Sequence, residues 1–290
     1  GRPARVHVKI DTGMSRAGST LADLPALASA LRMAADDGLV DIVGAWSHMS
    51  RADDPSEEGN ASTANHVRIF EEGLAILADA GITPRIRHIS ATSGILWHPE
   101  AHYDMVRVGI GLYGLSPDPA VATADELGLI PALELRAPLT SVKVIEEGTP
   151  ASYGGTWVAP TRRWIGLVPL GYGDGIFRAA SNKARVVVRT EAGLLNAPLV
   201  GRVCMDQFMV DLGPAEGEPG TPTARSGKAP AAPGDTAVLF GTGALGEPLA
   251  DEWADAASTI NYAIVTNLGA HIPRAYRDDT AHTQEKNTHE

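Results

Sequence analysis

The chain has 290 residues, a formal net charge of −11 and a single cysteine. That length fits one large domain or two ordinary ones, and an acidic chain without a basic cluster argues against nucleic acid or an anionic membrane as partner. One cysteine excludes an internal disulfide and any multi-cysteine zinc site, which suits a reducing, cytoplasmic compartment, and no apolar run reaches membrane-spanning length.

In chain order, residues 5–11 alternate and are rich in β-branched side chains, predicting a strand followed by a glycine-containing loop at 12–19. Residues 20–37 carry Leu24, Leu27, Leu31 and Met33 near helical spacing. A second strand is predicted at 41–49, a second helix at 65–80 ending before Gly81, a third strand at 85–90, and a short helix near Ile95. Residues 104–115 (DMVRVGIGLYGL) read as a fourth strand. Strands alternating with helices predict a parallel sheet with helices outside it.

After Pro117 the pattern changes to short β-like runs at 134–147, 163–173, 184–190, 199–213 and 236–241, separated by glycine and proline. These predict a second, mostly β domain. Residues 214–234 read as a proline- and glycine-rich surface loop, 252–263 as a helix and 268–276 as a last strand. The expected division is 1–118, 119–276, and a disordered polar tail at 277–290.

Arg107 is the anomaly of the fourth predicted strand. A guanidinium cannot shed its charge, so burial demands acceptors for its fork of donors; the simplest is a carboxylate at a sheet rim. Beside it, Gly109 and Gly111 leave backbone N–H groups uncovered, as a phosphate requires. Other polar groups gather at the C-terminal ends of the predicted strands: Lys9 and Arg16, His48, and residues 88–93. In parallel α/β barrels active sites lie at such ends, although a lone histidine is more often a satisfied core residue. The second domain adds Tyr153 within ASYGG, the turn GYGDG at 171–175, GRVCMDQ at 201–207 and INY at 260–262.

Six segments, in order, resemble the motifs of the alanine racemase family: VHVKIDTGMSRAG (6–18), WSHM (46–49), RHISATSG (87–94), MVRVGIGLYGL (105–115), ASYGG and GRVCMDQ, with INY following. The resemblance implies an eight-stranded α/β barrel followed by a β domain, and a homodimer whose sites join one barrel to the partner's β domain. The fold class expected here is α/β: the C-terminal half of a TIM-type (β/α)8 barrel, then a mostly β C-terminal domain. It also implies pyridoxal 5'-phosphate (PLP) as cofactor, with no metal, and interconversion of L- and D-alanine by a tyrosine and a lysine acting on opposite faces, supplying D-alanine for peptidoglycan.

By the same resemblance, Arg107 meets the pyridine nitrogen, while Gly109, Ile110, Thr92 and Tyr262 hold the phosphate. Arg16 and the main chain of Met205 bind the substrate carboxylate, and Lys9, carbamylated in many members, positions Arg16. His48 supports the ring and orients Tyr153, the base supplied by the partner subunit. Tyr172 and Tyr262 narrow the approach, and Arg178 and Arg202 line it. The lysine that carries the cofactor in the family has no counterpart motif in these residues, so the chain is expected to be a C-terminal portion that is inactive alone. Ala91 and Thr92 stand where the family usually has Asn and Ser; Ala263, Asn267 and His271 stand where it has Glu and then arginines. The rival readings are a broad-specificity racemase of the same fold, a PLP decarboxylase whose carboxylate pairs with the pyridine nitrogen, and a non-catalytic PLP-holding protein.

Overall fold

The computed structural model describes residues 1–215 and 229–277. The chain divides into two compact units, Gly1–Ala132 and Leu133–Glu290.

In the first unit, strands β1 (Ala4–Lys9), β2 (Val40–Trp46) and β3 (Ile86–His88) form a parallel sheet in that order, connected by helices α1 (Leu24–Asp36) and α2 (Glu57–Asp79) and followed by α3 (Thr92–Trp97). Pro25 sets the helical φ at the start of α1, and Leu24 and Ala28, one turn apart, bury the same stripe. Helix α2 begins where Ser56 accepts a hydrogen bond from the Gly59 N–H at 3.0 Å, with Glu57 and Glu58 complementing the helix dipole. It buries Thr63, His66, Phe70, Gly73 and Leu77. A Cβ at Gly73 would lie 2.7 Å from Ile10 Cδ1, so the glycine lets the helix close onto the sheet. Ile10, Leu24, Phe70, Leu77 and Ile89 are fully buried in the core beneath.

Three sequence expectations fail here. The fourth strand does not form: residues 105–109 are irregular and Ile110–Tyr113 is a single 3-10 turn. Asp104 and Arg107 each donate one backbone bond to the β3 side, to Arg87 O at 3.1 Å and Ser90 O at 3.0 Å. Gly109, at φ −107° and ψ −106°, then leaves the extended basin and ends the pairing. The expected alternation of buried side chains goes with it, since Met105, Val108 and Leu112 are exposed and Ile110 is buried. Finally, α2 starts two turns before the predicted Asn65; Ser56 followed by two glutamates was the signal.

The second unit is built on a seven-stranded antiparallel sheet. Its strands are β4 (Leu135–Pro138), β5 (Ser141–Ile145), β8 (Arg163–Val168), β9 (Arg185–Thr190), β10 (Gly193–Val200), β11 (Phe208–Pro214) and β12 (Thr236–Phe240), in the order β4-β12-β9-β10-β11-β8-β5. A small hairpin of β6 (Pro150–Ala151) and β7 (Trp157–Val158) carries the ASYGG turn. Across the sheet, Arg163 grips the Asp211 carboxylate at 2.6 Å, both nearly buried. Helices α4 (Ala250–Ala257) and α5 (Asn261–Thr266) replace the single predicted helix because Ser258 turns left-handed (φ 56°). The predicted run 199–213 is two strands around a turn. GYGDG is a 3-10 turn, and residues 268–276 form no strand. Most of the predicted loop (216–228) and the tail from 278 lie outside the described residues. Among the described residues no helix is long and apolar enough to cross a membrane, and no cluster of three metal-ligating side chains occurs.

Candidate active site

In the first unit the C-terminal ends of β1, β2 and β3 bring Lys9, His48, Thr92 and Arg107 together. Arg107 NH1 donates to His88 Nδ1 at 2.7 Å; NH2 donates to Ser47 O at 2.8 Å, Ile89 O at 3.1 Å and His48 Nδ1 at 3.1 Å. Its acceptors are thus ring nitrogens and carbonyls. The carboxylate partner expected from sequence is not among them. The Arg107 Nε–H meets no acceptor among the described residues.

Trp46 is the floor of this cluster. Arg107 Cζ lies 5.1 Å and Lys9 Nζ 4.6 Å from its ring, and His88 stacks on it at 5.8 Å with planes 10° apart. An indole face stabilises cations, so Trp46 sits against two of them. Because arginine only donates, His88 Nδ1 must accept; neutral His88 then carries its proton on Nε2 and donates it to His7 Nδ1, 2.9 Å away. Burial first, then the charge of Arg107, pull His88 down to about 4. His48 is also lowered, by burial and then by Arg107, Arg16 and Lys9. Both rings therefore stay neutral at physiological pH, and the charge of the pocket is that of Lys9, Arg107 and the exposed Arg16. Neither Trp46 nor His88 was given a role by the sequence; the stacking of strand-end aromatics is visible only in three dimensions.

Beside Arg107, Thr92 Oγ1 accepts the Gly109 N–H at 3.0 Å and the Gly111 N–H at 3.3 Å. With two bonds accepted, the hydroxyl keeps its own hydrogen to donate, and the Ile110 N–H has no acceptor among the described residues. A Cβ at Gly111 would come within 2.8 Å of Thr92 Cγ2, so only glycine lets the turn close on the hydroxyl. The Gly109 N–H, one of the donors expected from sequence, is directed at Thr92 Oγ1. The free donors of this cradle are Ile110 N–H and Thr92 O–H. A phosphate monoester fits such donors beside a cationic pocket.

In the second unit Tyr153 is 68% exposed on its 3-10 turn, held by Ser152 Oγ donating to Arg202 O at 2.6 Å. It lines a cavity of about 400 Å³ with Ser152, Leu167, Cys204 and Gln207. Met205 and Tyr172, both exposed, are knitted by Tyr172 N–H to Cys204 O at 3.0 Å and Gly173 N–H to Met205 O at 2.8 Å. Asp174 braces that turn, accepting from Gly171 N–H at 2.7 Å and pairing with His271 Nε2 at 2.8 Å. Arg178 opens a 3-10 turn, and Tyr262 is half-buried on α5.

The sequence matches the family described as "Alanine racemase, N-terminal domain" over residues 1–117 and "Alanine racemase, C-terminal domain" over 132–276. Alanine racemase of Salinispora arenicola is 43% identical over 277 residues, which is 95% of this chain and 68% of the relative. That of Mycobacterium tuberculosis is 40% identical, over 96% of this chain and 67% of its own length. Among solved structures, alanine racemase from D-cycloserine producing Streptomyces lavendulae superposes with a TM-score of 0.85 at 40% identity, covering 97% of this chain and 68% of that one. Alanine racemase from Bacillus anthracis with bound L-Ala-P gives 0.78 at 27% identity, covering 96% and 65%. The fold defines a protein with a barrel-type α/β N-terminal domain and a curled β C-terminal domain. This chain belongs to the alanine racemase family.

Proposed function

We propose that the chain carries the PLP- and substrate-binding apparatus of an enzyme that interconverts L- and D-alanine. The observation that supports this most is the Arg107 cluster: a guanidinium seated on Trp46 between two neutral histidines, with no carboxylate acceptor, next to a two-donor cradle. Arg107 offers Nε–H to a pyridine nitrogen and, always charged itself, leaves that nitrogen unprotonated. Thr92 O–H and Ile110 N–H hold the phosphate. His48 accepts from Arg107 through Nδ1 and so presents Nε2–H to the bound ring. When bound, PLP supplies the electron sink that lets the α-proton of an amino acid leave.

Arg16 binds the substrate carboxylate, and Lys9, once its amine is carbamylated to an anion, keeps Arg16 in place. The Met205 N–H, like that of Ile110, has no acceptor among the described residues. Tyr153 of a partner subunit takes or returns the α-proton on one face, and a second group must serve the opposite face. Tyr172 limits the side chain to a small one. A decarboxylase reading loses its basis, since it needs a carboxylate where Arg107 stands.

The family's second base is the lysine that carries the cofactor. The five lysines are 9, 143, 183, 228 and 286, and Lys9 stands alone in the first unit. These residues by themselves therefore bind PLP without a covalent link and do not racemise alanine. Borohydride treatment after PLP addition, followed by mass spectrometry, tests both claims. PLP retained without any labelled lysine is the expected result. A labelled lysine would overturn the second claim, and no retention at all the first.

A further inference from the structure

Behind the site lies a buried polar chain that the proposed chemistry does not use. His66, 3% exposed on α2, faces Thr12 and Ser47, which are 1% and 2% exposed at the ends of β1 and β2. His66 Nδ1 is 2.7 Å from Thr12 Oγ1, Thr12 Oγ1 is 2.7 Å from Ser47 Oγ, and Ser47 Oγ donates to Ile10 O at 2.7 Å. At the other end Ser50 approaches His66 Nε2 with its N–H at 3.3 Å and its hydroxyl at 2.9 Å.

The position of every hydrogen in this chain follows from its two ends. A carbonyl only accepts, so the Ser47 hydrogen goes to Ile10 O, and Ser47 Oγ must accept from the Thr12 hydroxyl. Thr12 Oγ1 in turn must accept from His66 Nδ1–H. From the opposite end, the Ser50 N–H can only donate, which makes His66 Nε2 the acceptor and again puts the proton on Nδ1. The two derivations agree on one tautomer. A proton on Nε2 could reach only the Ser50 hydroxyl, would face the Ser50 N–H, and would leave no hydrogen between Nδ1 and Thr12 Oγ1.

What the chain ties down is the site. Ser47 precedes His48, and its own carbonyl accepts from Arg107 NH2. Thr12 opens the loop bearing Arg16, whose start is held by Asp11 Oδ1 accepting from the Gly13 and Ser15 N–H groups, both at 3.0 Å. Gly13 packs on the ring as well, for a Cβ there would lie 3.5 Å from His66 Cε1.

We propose that His66 is a positioning residue: acting as acceptor toward Ser50 and donor toward Thr12, it locks the β1 and β2 ends together and so places His48, Arg107 and the Arg16 loop for the cofactor. The proposal rests on the PLP reading above. It requires only one acceptor and one donor at that point, a demand a glutamine amide meets and a leucine does not.

The test uses the full chain, PLP as probe and tryptophan fluorescence as readout, with His66→Gln and His66→Leu compared with the unmodified protein. His66→Leu is expected to weaken PLP binding by about tenfold or more, the scale of one lost charge-assisted or positioning bond, and His66→Gln to restore it to within about threefold. Equal binding by all three, or equal weakening by both variants, would overturn the proposal. The ring nitrogens of His66 in the unmodified protein supply a second arm that does not depend on folding of a variant. 15N shifts must show a neutral ring protonated at Nδ1, and an Nε2–H tautomer would overturn the chain. If the unmodified protein binds no PLP, the functional reading fails, and the 15N shifts still decide the tautomer chain.

Discussion

Replacing Thr92 by valine keeps the shape of the side chain and removes only the hydroxyl. In the folded protein that hydroxyl is the sole partner found for the Gly109 and Gly111 N–H groups, at 3.0 and 3.3 Å, and Thr92 is 5% exposed. Each orphaned N–H costs about 1 kcal/mol, less for the longer bond, so Thr92→Val should destabilise the turn by about 2 kcal/mol. Local opening then becomes about 30-fold more frequent, since ~1.4 kcal/mol is a factor of ten. Amide hydrogen exchange at Gly109 and Gly111 reads this directly, and neighbours in β2 should not respond. The same variant loses the hydroxyl donor offered to the phosphate, a charge-assisted bond, and PLP affinity should drop by about tenfold or more. Thr92→Ser, which keeps the oxygen, should hold both properties near their starting values. Unchanged exchange at both glycines in Thr92→Val, with unchanged PLP affinity, would refute the cradle.

Other outcomes follow from the same structure. Gly111→Ala must push a methyl to within 2.8 Å of Thr92 Cγ2, and PLP binding should fall while the second unit keeps its exchange pattern. His88 is held neutral, with its pKa down to about 4, by burial before the charge of Arg107. The unfolded chain, where histidine titrates near 6.5, binds that proton more readily. Stability is thus full above pH ~6.5 and falls as pH drops toward 4, by up to about 3 kcal/mol from this residue. Urea titrations at pH 7 and 4.5 check the sign, and His88→Gln should flatten the slope. Asp174→Ala removes the acceptor of the Gly171 N–H and the partner of His271, and exchange across residues 171–175 should quicken about tenfold. Arg163→Ala leaves Asp211 unpaired in a nearly buried place and should lower stability by about 3 kcal/mol in denaturant melts.

Much of this was legible from sequence, and the misses have physical reasons. That Arg107 needed acceptors follows from its fixed charge in an apolar run. Which acceptors it finds does not, because His48, His88 and two carbonyls come from two strand ends that lie 18 to 60 residues earlier in the chain. The apolar run made 104–115 read as a strand, whereas the chain leaves the extended basin at Gly109 (φ −107°, ψ −106°) and turns into a 3-10 turn. The Gly109 N–H bonds Thr92, so the open donors beside Arg107 are the Ile110 N–H and the Thr92 hydroxyl. His66 lies within the predicted helix at 65–80 but drew no role, because its partners Thr12 and Ser50 come from other segments of the chain and meet it only in the fold. In the β unit, the left-handed Ser258 splits a helix that periodicity alone runs together.

The account stands or falls on where PLP lands in the first unit. The Arg107 Nε–H and Ile110 N–H resonances should be followed in 15N-labelled protein during titration with PLP, pyridoxal and inorganic phosphate. Both should shift with PLP, Arg107 Nε–H alone with pyridoxal, and Ile110 N–H alone with phosphate. PLP binding that leaves both resonances in place would contradict it.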